Sequence, residues 1–191
     1  PDVDDASLPV LALLESDSAT LLVGTVGHGL RLVDLSTQSP LARTPNFTPA
    51  DFSSTTVTSF AELSNDSVLV GTYNEGIYLY LRRLDQLTPV KLPPSVDSLG
   101  SLSILCLSVD KANQLWLGTV NHGAIQLSRD FSIAHNYKKS SNSAHRISDD
   151  IVYAIHSDKA GNVWIGTLDG LVCIACDGRV TQTFNYDRMN T

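Results

Sequence analysis

Sulfur chemistry is scarce in this chain, with three cysteines and one methionine among 191 residues. An odd cysteine count argues against a closed disulfide framework. Cys173 and Cys176 are three apart in an extended apolar run that ends at Asp177-Gly178. On a strand, side chains three apart point to opposite faces, so these thiols are not placed to share a metal or close a bridge. No second cysteine pair exists to complete a four-ligand zinc site. All three, including Cys106, are expected to be buried structural thiols.

Basic clusters are equally scarce. The longest are the pairs Arg82-Arg83 and Lys138-Lys139, against a net charge of −7. Gripping a phosphate backbone needs a concentrated positive field, so nucleic acid is excluded as a partner and the pairs read as solvated edges. Nor is there a run of the roughly 18 apolar residues that a membrane helix requires. Leu102 to Leu107 has only strand length, so direct membrane insertion of this stretch is not expected. The chain opens at Pro1 without an initiating methionine or a leader. Both are expected to have been trimmed, and cellular location is not readable from this end. Helical periodicity is missing throughout, although 42% hydrophobic residues and 17% charged ones describe a globular composition able to bury a core.

What is present is a repeat. Leu21-Leu22-Val23-Gly24-Thr25 recurs as Val68-Leu69-Val70-Gly71-Thr72, Leu115-Trp116-Leu117-Gly118-Thr119 and Val163-Trp164-Ile165-Gly166-Thr167. The glycines are spaced by 47, 47 and 48 residues. A polar turn follows each pair and leads into a second apolar run at Leu30, Ile77, Ala124 and Leu171. Strand-like stretches precede each pair: 10–14, 57–63, 104–109 and 151–156. Weaker outer strands follow, such as 131–137 and 179–186. Gly, Asn, Asp, Ser and Pro punctuate the runs, as they do hairpins. Four antiparallel strands in about 40–50 residues make a propeller blade. The middle strands are apolar at consecutive positions, which fits a sheet covered on both faces. Glycines at one phase of these strands predict close approach of a neighbouring backbone or ring. Trp116 and Trp164 are expected to pack between blades.

The expected architecture is therefore all-β: a β-propeller segment of four blades, each of four antiparallel strands, over 1–50, 51–97, 98–145 and 146–191. We read it as a single partial propeller and a fragment of a larger ring. An isolated arc would leave apolar faces open on its first and last blades. Such faces drive association, so self-association through them is expected.

The fourth repeat runs Ile147-Ser148-Asp149-Asp150-Ile151-Val152-Tyr153-Ala154-Ile155, then Asp158, Gly161-Asn162-Val163-Trp164-Ile165-Gly166-Thr167 and Gly170-Leu171. This closely resembles the two-component-regulator propeller repeat, whose pattern is roughly LSDNxVxxI, D, GNLWIGT and GGL. The third repeat keeps Asp110, Asn113, Leu115 to Thr119 and Gly123, whereas the first two keep mainly the LVGT core and its following glycine. The resemblance implies the ligand-sensing, extracytoplasmic part of a bacterial signalling receptor, in the periplasm. Beyond a membrane span, such receptors carry a histidine kinase, hybrid regulator or diguanylate cyclase module. It implies binding, with no enzyme activity and no cofactor in this stretch. A protein-interaction scaffold is the alternative, and a carbohydrate-active enzyme a more distant one.

Propeller loops between strands two and three gather on one face with those that link blades. Here they offer His28, then Tyr73, Asn74 and Glu75, then Asn121 and His122, and finally Asp169 as candidate ligand contacts. A small molecule or an oligosaccharide is the partner considered. Chemistry varies across these matching positions, which suits a recognition surface and equally suits ordinary exposed turns. Matching copies lie on neighbouring sheets about 10 Å apart, too far for His28, Glu75 and His122 to share a metal. His145, Ser148 and Asp149 supply the residue types of a hydrolytic triad, but on one polar linker rather than on separate elements.

Overall fold

The computed structural model describes residues 8–16, 19–37, 42–46, 49–94 and 102–185. The elements they form are strands and a 3-10 turn at Ala50–Ser54, with a helical residue at Pro94. Sheet one consists of β1 (Val10–Glu15), β2 (Thr20–Thr25), β3 (Leu30–Asp34) and β4 (Ala42–Arg43). Sheet two consists of β5 (Thr56–Ser64), β6 (Ser67–Tyr73), β7 (Ile77–Leu81) and β8 (Gln86–Pro89). Sheet three holds β9 (Ile104–Val109), β10 (Leu115–Thr119), β11 (Ala124–Leu127) and β12 (Ile133–Tyr137). Sheet four holds β13 (Val152–Ser157), β14 (Val163–Thr167), β15 (Gly170–Ile174) and β16 (Val180–Asn185). Each is an antiparallel meander in chain order, the blade of a propeller. The chain divides into two compact units, residues 1–90 with sheets one and two, and residues 91–191 with sheets three and four.

The Gly-Thr pair has one structural job in all four sheets. The hydroxyls of Thr25, Thr72, Thr119 and Thr167 donate to the carbonyls of Gly29, Gly76, Gly123 and Gly170, at 2.7, 2.8, 2.7 and 3.0 Å. Each bond closes the turn between the second and third strands. Opposite the pair, the first strand carries a bulge, between Val10 and Ala12, Val57 and Ser59, Ile104 and Cys106, and Val152 and Ala154. The extra residue raises the local twist and bends the strand.

Within each unit, the second sheet's first strand lies against the glycine of the sheet before it. A Cβ on Gly24 would stand 2.7 Å from Val57 Cγ1, and one on Gly118 would stand 2.8 Å from Val152 Cγ1. That is the close approach expected of these glycines. Around the first contact, Leu22, Leu30 and Leu32 meet Phe52, Val68, Val70, Tyr78, Tyr80 and Leu87. Around the second, Trp116, Ala124 and Tyr137 meet Ile147, Val163, Ile165, Val172 and Ile174.

Three expectations need adjusting. The outer strands start later, at Ile133 and Val180, because Phe131 adopts a positive φ of 63° in a turn and Ala175 to Arg179 close a tight hairpin. Tyr186, expected at the end of the last strand, lies outside the described residues. Cys176 is neither on a strand nor buried: β15 stops at Ile174, and the hairpin turn exposes the thiol. Cys173 is buried, and burial pushes the half-covered Cys106 thiol up to about 12. Finally, continuous burial holds along β10, but β14 alternates between buried and half-buried positions.

Candidate functional site

The strand-two-to-three turns are held from two sides. In unit one, Val26 N–H donates to Pro9 O, Gly27 N–H to Thr56 Oγ1 at the head of β5, and Gly29 N–H to Thr55 O on the linker just before it. In unit two, Val120 N–H donates to Ser103 O and Gly123 N–H to Asp150 O. A side chain at Gly123 is blocked twice, by its φ of 71° and by the Tyr137 carbonyl beneath it. Turns and linkers therefore share one face of each unit, as the topology requires.

The candidate side chains on this face meet different fates. Glu75 accepts from Thr55 Oγ1 at 2.8 Å and from Tyr78 OH at 3.1 Å, so its carboxylate fastens the turn to the linker. Tyr73 and Asn74 are exposed, the latter in the left-handed region at φ 74°. His28 borders a cavity of about 260 Å³ with Pro45, Asn46, Phe52 and Ser53, below the size of an ordinary ligand pocket. Asn121 is exposed. His122 is half-buried; burial and the Lys138 charge hold its pKa below the usual value against the pull of Asp150, favouring the neutral ring.

Asp169 stands apart, because it belongs to a constructed site. Lys139 Nζ donates to Asp169 Oδ2 at 2.9 Å and to Asp149 Oδ2 at 3.1 Å. These bonds raise the lysine pKa, with Asp169 contributing most. Asp149 is lowered, first by Ile151 N–H and then by Lys139. The linker folds back on itself here. Lys139 N–H donates to Asp150 Oδ1 at 2.7 Å, and Arg146 Nε donates to Lys139 O at 2.9 Å. Val180 N–H then ties β16 to Ala144 O. Between linker and β16 lies a cleft of about 800 Å³. Lys139, Arg146, Ser148, Asp169, Thr183 and Asn185 line it together with the apolar side chains of Ile147, Leu168 and Val180. The volume falls within the roughly 300–1,000 Å³ of small-molecule sites. Donors and acceptors of both charges beside apolar side chains suit a hydroxyl-rich ligand.

Of the seven candidate contacts, this cleft includes Asp169 alone. Its other polar residues sit on the linker and on β16. Their local sign in the sequence is the basic Lys138-Lys139 and Arg146 set beside Asp149-Asp150. The triad types on that linker are engaged separately. His145 stacks on His135 at 5.0 Å between ring centroids, Asp149 holds Ile151 N–H and Lys139, and Ser148 Oγ points to Asn185 Oδ1 at 3.5 Å.

A further constellation lies on the turns between the first two strands of sheets three and four. Trp116 Nε1 donates to Asp110 Oδ2 at 2.8 Å, and Trp164 Nε1 donates to Asp158 Oδ2 at 3.0 Å. The other carboxylate oxygen of each accepts the N–H of Gln114 or Asn162. One aspartate thus caps the turn and latches the tryptophan six residues on. Residues 98–121 and 146–169 match the two component regulator propeller family. Sheets three and four carry regulator propeller repeats. The Asp–Trp latch is the physical content of the aspartate and tryptophan in that repeat, and it falls within both matched stretches.

No curated protein matches the chain. Among solved structures, it is similar to the extracellular domains of two proteins from B. thetaiotaomicron named as hybrid two component systems. For one the TM-score is 0.76 at 22% identity over 96% of this chain, and for the other 0.69 at 21% over 93%. This chain spans 23% and 22% of them, less than a quarter of either. It is also similar to YCF48 bound to D1 peptide, with a TM-score of 0.67 and 10% identity over 97% of this chain and 57% of that one. At these identities the likeness establishes the propeller fold. Regulator propeller repeats stand in the second unit, and propeller blades in both.

Proposed function

We propose that this chain is part of the sensor propeller of a bacterial signalling receptor, lying on the periplasmic side of the inner membrane and working by binding rather than turnover. The observation that carries the reading is the pair of regulator propeller repeats at 98–121 and 146–169. The extracellular placement of the hybrid two component propellers supports it. The output in this reading is a kinase or diguanylate cyclase module across the membrane. The input is a small molecule or oligosaccharide held in the cleft by Lys139, Arg146, Asp169 and Asn185.

A ligand that binds only the folded chain raises its melting temperature by mass action. Thermal melts with a panel of neutral and acidic oligosaccharides are expected to yield at least one saturable increase. Arg146→Ala combined with Asp169→Ala is expected to abolish it while leaving the ligand-free melt in place. A saturable shift that survives the double substitution would move the site elsewhere. Turnover of any panel member would overturn the binding reading.

A second reading, a face for another protein, is favoured by the propeller solved with a bound peptide. Under it, the exposed turn at Tyr73 and Asn74 is the better place to substitute. Loss of partner capture by Tyr73→Ala, with the cleft variants unaffected, would select it.

A further inference from the structure

A second cavity, of about 510 Å³, lies between sheets three and four at the strand ends away from the cleft. The turns β9–β10, β13–β14 and β15–β16 surround it, and Trp116, Gln126, Val163 and Ile174 reach it from the strands. Every lining residue belongs to unit two. Two hydrogen bonds tie the sheets together beside it: Lys111 Nζ donates to Lys159 O, and Tyr137 OH donates to Gly178 O at 2.9 Å. The volume falls within the range of small-molecule sites.

Two of its polar residues are spent on the fold. Asp110 accepts from Gln114 N–H at 2.9 Å with one carboxylate oxygen and from Trp116 Nε1 at 2.8 Å with the other. Gln126 is different. It stands on β11 in register with Trp116, and its Oε1 is buried yet accepts no hydrogen bond among the described residues. Its amide nitrogen likewise has no partner among them. An unpaired buried carbonyl costs the fold its desolvation, and a leucine of similar size would avoid that cost. A carboxamide here is therefore a group held ready for something that enters the cavity.

We propose that this cavity binds a small planar ring amide, of the lactam or nucleobase kind, through a pair of hydrogen bonds to Gln126. The ligand N–H donates to Gln126 Oε1, and Gln126 Nε2 donates to the neighbouring ring carbonyl. A carboxamide offers one donor and one acceptor side by side, as glutamine does when it reads a base edge. A ring holds its own N–H and carbonyl on one side. Open-chain secondary amides are trans and point the two groups apart, so a peptide bond or an N-acetyl group does not match. Val163 and Ile174 supply apolar contact for the ring.

Isothermal titration calorimetry of the 191-residue chain with uracil tests this, with 1,3-dimethyluracil as the same ring lacking both N–H donors. Saturable binding is expected for uracil and none for the dimethyl compound. Gln126→Leu is expected to weaken uracil binding by at least about tenfold without lowering the ligand-free melting temperature. The cleft double variant, Arg146→Ala with Asp169→Ala, is expected to bind uracil unchanged. No saturable uracil binding below about 1 mM would overturn the proposal. So would equal binding of the two ring compounds, which the unaltered chain decides even if Gln126→Leu fails to fold. Binding that survives in a folded Gln126→Leu chain, or is lost in the cleft variant, would overturn it as well.

Discussion

The two units build the same pair of sheets with different side chains. In unit two, the middle strands carry Trp116 and Trp164, each latched to an aspartate six residues earlier. In unit one the matching position of sheet one is Leu22, buried without a polar handle. The first turns are instead tied by Arg82, which donates to Ser16 Oγ, Ser64 O and Asn65 O and pairs with Glu62 at 2.8 Å. On the linker, Phe52 stands edge-on to Tyr78 at 4.7 Å in unit one, where unit two has Ile147. What both units share is the Gly-Thr pair, the bulge opposite it and the threonine bond that closes the turn. The backbone device is common to all four repeats and the side-chain latch to two, which is why family resemblance concentrates in the second unit while the topology does not change.

The largest expected effect breaks the latch. Trp116→Ala removes a buried ring from a packed cluster and leaves Asp110 without its indole donor, and should cost about 4 kcal/mol in urea unfolding. Trp164→Ala, at the half-open position, should cost clearly less. Equal losses would mean that the latch, not the burial, supplies the stability.

Next come the glycines. Gly118→Ala puts a Cβ against Cys106 Sγ and the Val152 carbonyl, and should cost about 2–3 kcal/mol. Gly24→Ala meets Val57 and should behave similarly in unit one. Gly166→Ala, where an added Cβ meets nothing closer than 3.7 Å, should change stability by less than about 0.5 kcal/mol. A large Gly166 effect there would mean that the glycine serves its own sheet rather than a neighbour.

Arg82→Met tests unit one's own clasp. It keeps most of the apolar stem and removes the donors, and should cost about 1–2 kcal/mol. Restoration by Arg82→Lys would show that charge suffices; we expect the forked geometry to matter, and no restoration.

The smallest effect is on pH dependence. The Asn162 side chain, then the Trp164 indole, hold the Asp158 carboxyl far below the ordinary carboxylate range. Its pKa is lower folded than unfolded, so its contribution is present above about pH 4 and is lost as the pH falls through the folded value. The melting temperature should decline on acidification, and Asp158→Asn should flatten the decline. An unchanged slope would assign acid sensitivity to other carboxylates, such as Asp130, which Ser132 and Ser128 hold down to about 2.

Much of this architecture is legible in the amino-acid sequence, and the reason is periodicity. A strand's side chains alternate and a blade repeats, so Gly24, Gly71, Gly118 and Gly166 announce a common place in the repeat through spacing alone. The threonine bond is legible as a local one, since its acceptor glycine lies three or four residues on; the bulge is not, because it depends on a partner strand that local sequence does not name. Cys176 escapes a sequence reading because a run of apolar letters does not mark where pairing stops; the Ala175–Arg179 hairpin does. Of the candidate contacts, Glu75 fastens a turn to its linker, since Thr55 and Tyr78 converge on it across 20 and 3 residues. Lys139 and Arg146 show in the sequence only as basic residues beside Asp149-Asp150, because Lys139 finds its second partner, Asp169, 30 residues away.

The sequence by itself determined the blade: four strands, their punctuation, and the glycine at one phase of each second strand, because these follow from local sterics and a fixed repeat. Tertiary structure alone decided which polar groups converge on a cleft, and which candidate contacts instead fasten a turn, as Glu75 does. Convergence is a property of contacts between segments distant in the chain, and identical local sequences meet different surroundings.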